Sequence, residues 1–256
     1  MGIFKYFLGL HILLIGSVCA DLQAQERYLF VGTTFPSILE TGADQKPKGV
    51  AVDLLEQISE RTGDQFDIRI LPWSRALELV KRGEASGLIG PYYSEERAEF
   101  LDFANDPFYI DRMVFISRRS DDVDWQGDYD FFKSSHILII KNWFYGPDFE
   151  KARPHLKLYE TITTEGALTM LMRERVDIVA FNERNAKHLI KALDMTTALK
   201  INEPPMAINR GFFGFSKKRK EFGLQNRMNK ALRELQELGK IERINARYGL
   251  TYRAEW

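Results

Sequence analysis

The stretch Gly87-Leu-Ile-Gly90-Pro-Tyr-Tyr-Ser94-Glu-Glu-Arg97-Ala-Glu-Phe100-Leu-Asp102-Phe103 decides how this chain is read. Leu88 and Ile89 make a short apolar run, and Gly90-Pro91 is a turn pair expected to end a strand there. Ser94 is placed to cap a helix, and Glu95 and Glu96 suit the positive end of its dipole. Arg97 sits in the same first turn, where a cation is disfavoured, so its charge calls for a partner. A strand end, a glycine, the open amides of a helix start and a fixed guanidinium together suit a small anion.

Working outward, the same alternation repeats on both sides. Upstream, Tyr28-Leu-Phe-Val31 reads as a strand leading into the polar and aromatic turn Gly32-Thr-Thr-Phe35-Pro36. Gly42 to Gly49 reads as a hydrophilic loop. Ala51, Leu54, Leu55 and Ile58 fall on one face of a helix over Val50 to Arg61 that Gly63 stops. Phe66 to Ile70 alternates as a strand, and Ser74 can cap a helix ending near Gly83. Strand, helix, strand, helix, strand is the rhythm of a parallel sheet covered by helices.

Downstream, Met113 to Ile116 is a strand, and the acidic segment Asp121 to Asp130 marks a boundary. The rhythm then restarts with strands at His136 to Ile140 and Val176 to Ala180, and between them Thr164 can cap a helix carrying Ala167, Leu168, Leu171 and Met172. Pro204-Pro205 punctuates, and Phe212 to Phe215 reads as a last short strand. Leu224, Met228, Ala231, Leu235 and Leu238 line one face of a closing helix, with a second after Gly239. Two such units place two strand-end surfaces opposite each other, and ligands of open α/β sheets bind beyond strand carboxyl ends.

The balance of 36 acidic and 36 basic residues gives no bulk field toward nucleic acid or a charged membrane. Lys217-Lys218-Arg219-Lys220 carries no interleaved aromatics and reads as a solvated loop, so no nucleic-acid partner is expected. Residues 1–24 read as a signal peptide: Lys5, an apolar run from Tyr6 to Val18, and small residues that allow cleavage after Ala20 or Ala24. An uncleaved anchor and a lipid attached at Cys19 are the rival readings. Cleavage at either alanine leaves no thiol, which suits the periplasm. The four histidines are scattered, so neither a metal nor a cofactor is expected, and no phosphate loop or nucleophile elbow is found.

Several segments carry a resemblance. Gly49-Val-Ala-Val-Asp53-Leu-Leu-Glu-Gln-Ile58, Leu79-Val-Lys-Arg-Gly83-Glu-Ala-Ser-Gly-Leu-Ile-Gly90, Ser94-Glu-Glu-Arg97, Leu101-Asp-Phe-Ala104, Arg175-Val-Asp177-Ile-Val-Ala180 and Leu232 through Gly249 stand in a familiar order over more than two hundred residues. In that order the chain resembles the bacterial extracellular solute-binding proteins of family 3, the amino-acid-type receptors of ABC importers. The resemblance implies an α/β fold of two lobes, the type II periplasmic-binding-protein arrangement. Each lobe would be a mostly parallel sheet flanked by helices, joined to the other by two hinge strands. The first lobe would comprise 25–110 and 211–256 and the second 111–210, with hinges around Phe108 to Arg112 and Asn209 to Phe213.

By the same resemblance, Arg97 grips a ligand carboxylate, Gly90 offers a backbone carbonyl to a ligand amine, and Tyr92 narrows the site. Thr34 and Phe35 belong to the loop after the first strand, which supplies an aromatic wall. Asn182 stands where amino-acid receptors have an acid for the ligand ammonium, and Trp143 and Tyr145 replace their small polar turn. An ordinary α-amino acid is therefore in doubt, because an amide cannot neutralise a buried ammonium, although Glu183 could substitute. Trp73 adds an aromatic near the sheet edge. Bland readings stand beside these: a surface pair of Arg97 with Glu96 or Asp102, and plain packing for Phe35 and Trp73.

The expected function is a monomeric, non-enzymatic periplasmic receptor for a small carboxylate, feeding the membrane permease of an ABC importer. The alternatives are a periplasmic enzyme of the same fold, of the cyclohexadienyl-dehydratase kind, and the ligand-sensing partner of a signalling protein. No spacing of acids singles out catalytic residues.

Overall fold

The computed structural model describes residues 27–219 and 221–252, so the expected signal peptide at 1–24 lies outside the described residues. In chain order the strands and helices are β1 (Arg27–Gly32), β2 (Glu40–Thr41), β3 (Pro47–Lys48), α1 (Val50–Thr62), β4 (Gln65–Ile70), α2 (Trp73–Arg82), β5 (Gly87–Tyr92), α3 (Glu95–Ala98), β6 (Leu101–Phe103) and β7 (Tyr109–Arg118). There follow β8 (His136–Ile140), α4 (Pro147–Ala152), β9 (Lys157–Thr161), α5 (Thr164–Met172), β10 (Ile178–Asn182), α6 (Glu183–Ala192), β11 (Leu199–Ser216), α7 (Leu224–Glu237) and α8 (Lys240–Arg247).

One curled, mixed sheet runs β4-β1-β5-β11-β7-β10-β8-β9, and β6 adds to β11. Strands β4, β1 and β5 are mutually parallel in one half, as are β10, β8 and β9 in the other. The antiparallel pair β7 and β11 joins the halves, with Tyr109 opposite Gly211 and Asp111 opposite Asn209. The result is a two-lobed α/β fold.

Both faces of each half are covered, which is why β8 and β10 are apolar almost throughout rather than alternating. Leu54, Leu55 and Ile58 of α1 join Leu232, Leu235 and Ile241 of α7 and α8 in a core that continues through Phe30 and Phe213. The opposite face of the first half buries Val31, Val80 and Leu88. That of the second half buries Leu138, Leu168, Leu171 and Phe181.

Four sequence expectations are corrected. Gly90-Pro91 does not end the strand. It lies inside β5, at a one-residue bulge against β11, with Gly90 at a φ of 81°, a conformation a side chain resists. Proline is tolerated there because the bulge needs no ladder donor. Pro204-Pro205 likewise falls in a register shift between Asn202 and Ala207, so the expected short strand at Phe212 is the end of an 18-residue β11. The loop Gly42 to Gly49 folds into the small hairpin of β2 and β3. The caps also move upstream: Pro72 rather than Ser74 precedes α2, and Thr163 rather than Thr164 precedes α5.

Candidate ligand cleft

Ser94 caps α3 as its residue type suggests, accepting from the Arg97 backbone N–H at 3.3 Å. That fixes the Arg97 backbone, and its side chain turns inward. Arg97 is 6% exposed, its guanidinium donating from Nη1 to the Tyr92 carbonyl at 2.8 Å and from Nη2 to the Asn142 carbonyl at 3.0 Å. The Trp73 ring lies 5.4 Å from it. Among the described residues no carboxylate bridges it, and Asp102 faces Lys217 instead. The surface-pair reading of Arg97 is thereby corrected. Burial pulls its pKa down to about 10, against the opposing fields of Tyr92, Tyr109, Glu96 and Glu150.

Asn142 comes from the other half, in the turn that follows β8, and holds a φ of 63° that asparagine tolerates. Its carbonyl also accepts from the Trp73 indole at 3.1 Å, and its amide donates to Ser74 Oγ at 3.0 Å. The halves therefore meet at Arg97. Around this contact lies a small cavity of about 40 Å³, with room for about three waters. Phe35, Trp73, Trp143 and Phe144 wall it, and Gly90, Tyr92 and Arg97 also line it. A wider groove of about 1470 Å³ opens beside it, reaching Tyr93, Arg112, Glu150, Arg210 and Phe212.

Of the sequence-chosen residues, Arg97, Gly90, Tyr92, Phe35, Trp143 and Trp73 come together at this cavity. Three others do not line it. Thr34 is exposed, and its neighbour Thr33 lines the cavity instead. Tyr145 is wholly buried, tilted against Phe149, with its hydroxyl accepting from the Ile140 N–H at 2.7 Å. It supports the turn from behind. Asn182 is also wholly buried and caps α6 by accepting from Asn185 N–H at 3.0 Å. Its amide donates to Tyr92 Oη at 3.1 Å. Glu183, the suggested substitute, is taken up by Arg112 at 3.0 Å and Lys187 at 2.7 Å.

Three residues went unnoticed in the sequence. Arg184 pairs with Asp111 through Nε at 3.1 Å and Nη2 at 2.7 Å, donates to the Pro36 carbonyl, and sits 4.0 Å over the Phe35 ring. Burial acts to lower its pKa, but the charge and hydrogen bonds of Asp111 outweigh that and raise it. Tyr92 Oη donates to Asp111 Oδ2 at 2.7 Å, and Tyr109 Oη donates to the Gly90 carbonyl at 2.6 Å. Burial drives both phenols well above the ordinary tyrosine pKa, with the Asp111 charge adding to it. Arg184 could have been found by the argument used for Arg97, since it too is a cation in a first helical turn.

A model of the bacterial extracellular solute-binding proteins, family 3, matches residues 29–251. The chain belongs to that family. It is 23% identical over 240 residues to the probable amino-acid-binding protein YxeM of Bacillus subtilis (strain 168), covering 91% of this chain and 88% of YxeM. Among solved structures it resembles a histidine kinase sensor domain with similarity to periplasmic binding proteins, with a TM-score of 0.78 at 21% identity over 90% of this chain and 99% of that one. It also resembles the arginine-, lysine-, histidine-binding protein ArtJ from the thermophilic bacterium Geobacillus stearothermophilus, with a TM-score of 0.74 at 20% identity over 89% and 97% of the two chains. An ancestral arginine-binding protein bound to arginine gives 0.72 at 19% identity over 87% and 97%. At these identities the solved structures speak to the fold alone, and they agree with the two-lobed α/β arrangement. Among the described residues no helix is long and apolar enough to cross a membrane.

Proposed function

We propose that this family 3 protein is a periplasmic receptor, monomeric and without catalytic activity, that closes two lobes over a small carboxylate-bearing ligand. The ligand is an amino acid or a related organic acid, and it is passed to the membrane permease of an ABC importer. The lobes are 25–110 with 211–256, and 111–210, crossing where Tyr109 pairs with Gly211. Ligand contact falls to Arg97, with Phe35, Trp73, Tyr92 and Trp143 as walls. YxeM and ArtJ, named for amino-acid binding, support the ligand class in outline.

One observation carries this reading: Arg97 is buried between the halves and, among the described residues, is hydrogen-bonded to two carbonyls and faced by a ring, with no carboxylate in contact. Carbonyl dipoles do not neutralise a full charge, and an arriving carboxylate does, through a bidentate pair of charge-assisted bonds. The cavity lining contains no carboxylate or imidazole for proton transfer, which favours capture over catalysis. Closure of this kind is the expected motion of such lobes, and a ligand would take over Arg97 from the Asn142 carbonyl. A thermal-shift screen of amino acids, keto acids and aromatic acids tests the reading. At least one acid is expected to raise the melting temperature of the wild type and leave Arg97→Ala unmoved; a ligand that stabilises both alike would refute the assignment.

A further inference from the structure

The polar groups around the cavity differ sharply in what they have left to offer. An anion has a cation waiting in Arg97. A ligand ammonium would need an acceptor, and the carbonyls of Gly90, Tyr92 and Asn142 and the carboxylates of Asp111 and Glu183 each already take at least one hydrogen bond or ion pair. The Gly90 carbonyl takes the Tyr109 hydroxyl at 2.6 Å. The Tyr92 carbonyl takes Arg97 at 2.8 Å, and the Asn142 carbonyl takes both Arg97 and Trp73. Asp111 is the buried carboxylate nearest in the network. Its Oδ1 holds Arg184 Nε, and its Oδ2 holds Arg184 Nη2 and Tyr92 Oη. Glu183 is held by Arg112 and Lys187.

The charge balance points the same way. Arg97 and Asp111 are buried and Arg184, paired with Asp111, is only 12% exposed in its side chain, so the set carries two positive charges and one negative. A single carboxylate brings the set to neutrality. A zwitterion adds no net charge and leaves the excess in place, beside a cation with nothing to oppose it. Arg184 strengthens this bias, because its guanidinium covers the face of Phe35, one of the cavity walls, and would repel a second cation placed there.

We infer that the ligand is a monocarboxylate with a flat, apolar body and no ammonium group, because Tyr109 and Arg184 have already taken the acceptors that an ammonium would use. This rests on the receptor reading above and narrows it. The aromatic rings that line the cavity suit a flat body, and the lone guanidinium suits the head; at about 40 Å³ the cavity must widen to admit a ring.

The test compares matched pairs with and without the amine, from benzoate-sized to indole-sized bodies: 3-phenylpropanoate against L-phenylalanine, indole-3-propanoate against L-tryptophan, 4-methylpentanoate against L-leucine. Calorimetry on the full mature protein is expected to find the best deaminated acid bound at least ~100-fold tighter than its amino-acid partner, the scale set by an uncompensated buried charge. The Tyr109→Phe variant, which keeps the ring and frees the Gly90 carbonyl, is expected to narrow that ratio by about 10-fold. An amino acid bound as tightly as its deaminated partner overturns this inference while leaving the receptor reading intact. An unchanged ratio in Tyr109→Phe overturns the assignment to Tyr109. Silence toward every member of every pair overturns the receptor reading, and this inference with it.

Discussion

Two helix starts face each other across the cleft, and they are built alike. In the first half β5 leads to Ser94, Glu95, Glu96 and Arg97; in the second β10 leads to Asn182, Glu183 and Arg184. Each cap side chain accepts from the backbone N–H three residues on, and each first turn carries an arginine drawn inward, Arg97 buried and Arg184 nearly so. The difference lies in what answers the charge. Arg184 has a carboxylate, Asp111, at 2.7 Å. Arg97 has carbonyls and a ring. One arginine completes the structure. The other, on the proposed reading, keeps a charge available for something that arrives.

That contrast can be broken most forcefully at Asp111. Replacing it with alanine leaves Arg184 buried without a counter-charge and is expected to lower stability by about 3–5 kcal/mol in urea unfolding. A loss under about 1 kcal/mol would mean that the pair is not the structural one. Arg97→Ala should do the reverse. Ligand affinity is expected to fall by at least ~100-fold, equivalent to about 2.7 kcal/mol, while the fold stays intact and the unfolding midpoint changes little. Retained affinity within a few-fold in titration calorimetry would erase the distinction between the two arginines.

The caps sharpen the comparison at smaller scale. Ser94→Ala removes one capping bond and should cost about 1 kcal/mol. Asn182→Ala removes a cap and also leaves the buried Tyr92 hydroxyl without its donor, so about 2–3 kcal/mol is expected. Equal losses by thermal or urea unfolding would show that the Tyr92 bond adds nothing. The smallest effect concerns pH. In the free protein burial lowers Arg97 to about 10, and a bound anion favours its charged form. Affinity should therefore be full below that value and decline as pH rises through it. Tyr92 and Tyr109 sit well above it and stay protonated. Affinity that stays flat to pH 11 would indicate that Arg97 does not titrate there.

Much of this was legible beforehand where the signal is local. The cap at Ser94, the helix face of Leu54, Leu55 and Ile58, and the stop at Gly63 each depend on residues within a turn or two. The errors share a cause as well. Gly90-Pro91 and Pro204-Pro205 look like breaks, yet neighbouring strands accept them as bulges, and a bulge exists only where a partner strand runs alongside. Tyr145 looked like a ligand contact because an aromatic run does not reveal which ring faces inward. Its hydroxyl is tied to the Ile140 backbone, and the ring belongs to the core.

The sequence by itself determined the alternation of strands and helices and the capped start of α3, because hydrophobic period and capping act between near neighbours, and the order of its motifs carried the resemblance to the family. Only the tertiary structure decided which charges are already matched. Asp111 and Arg184 lie 73 residues apart and meet only when β7 and α6 pack together. Tyr109 reaches the Gly90 carbonyl only because β5 and β7 both flank β11. Charge matching across such distances depends on where the backbone brings side chains together, which no local pattern of residues encodes.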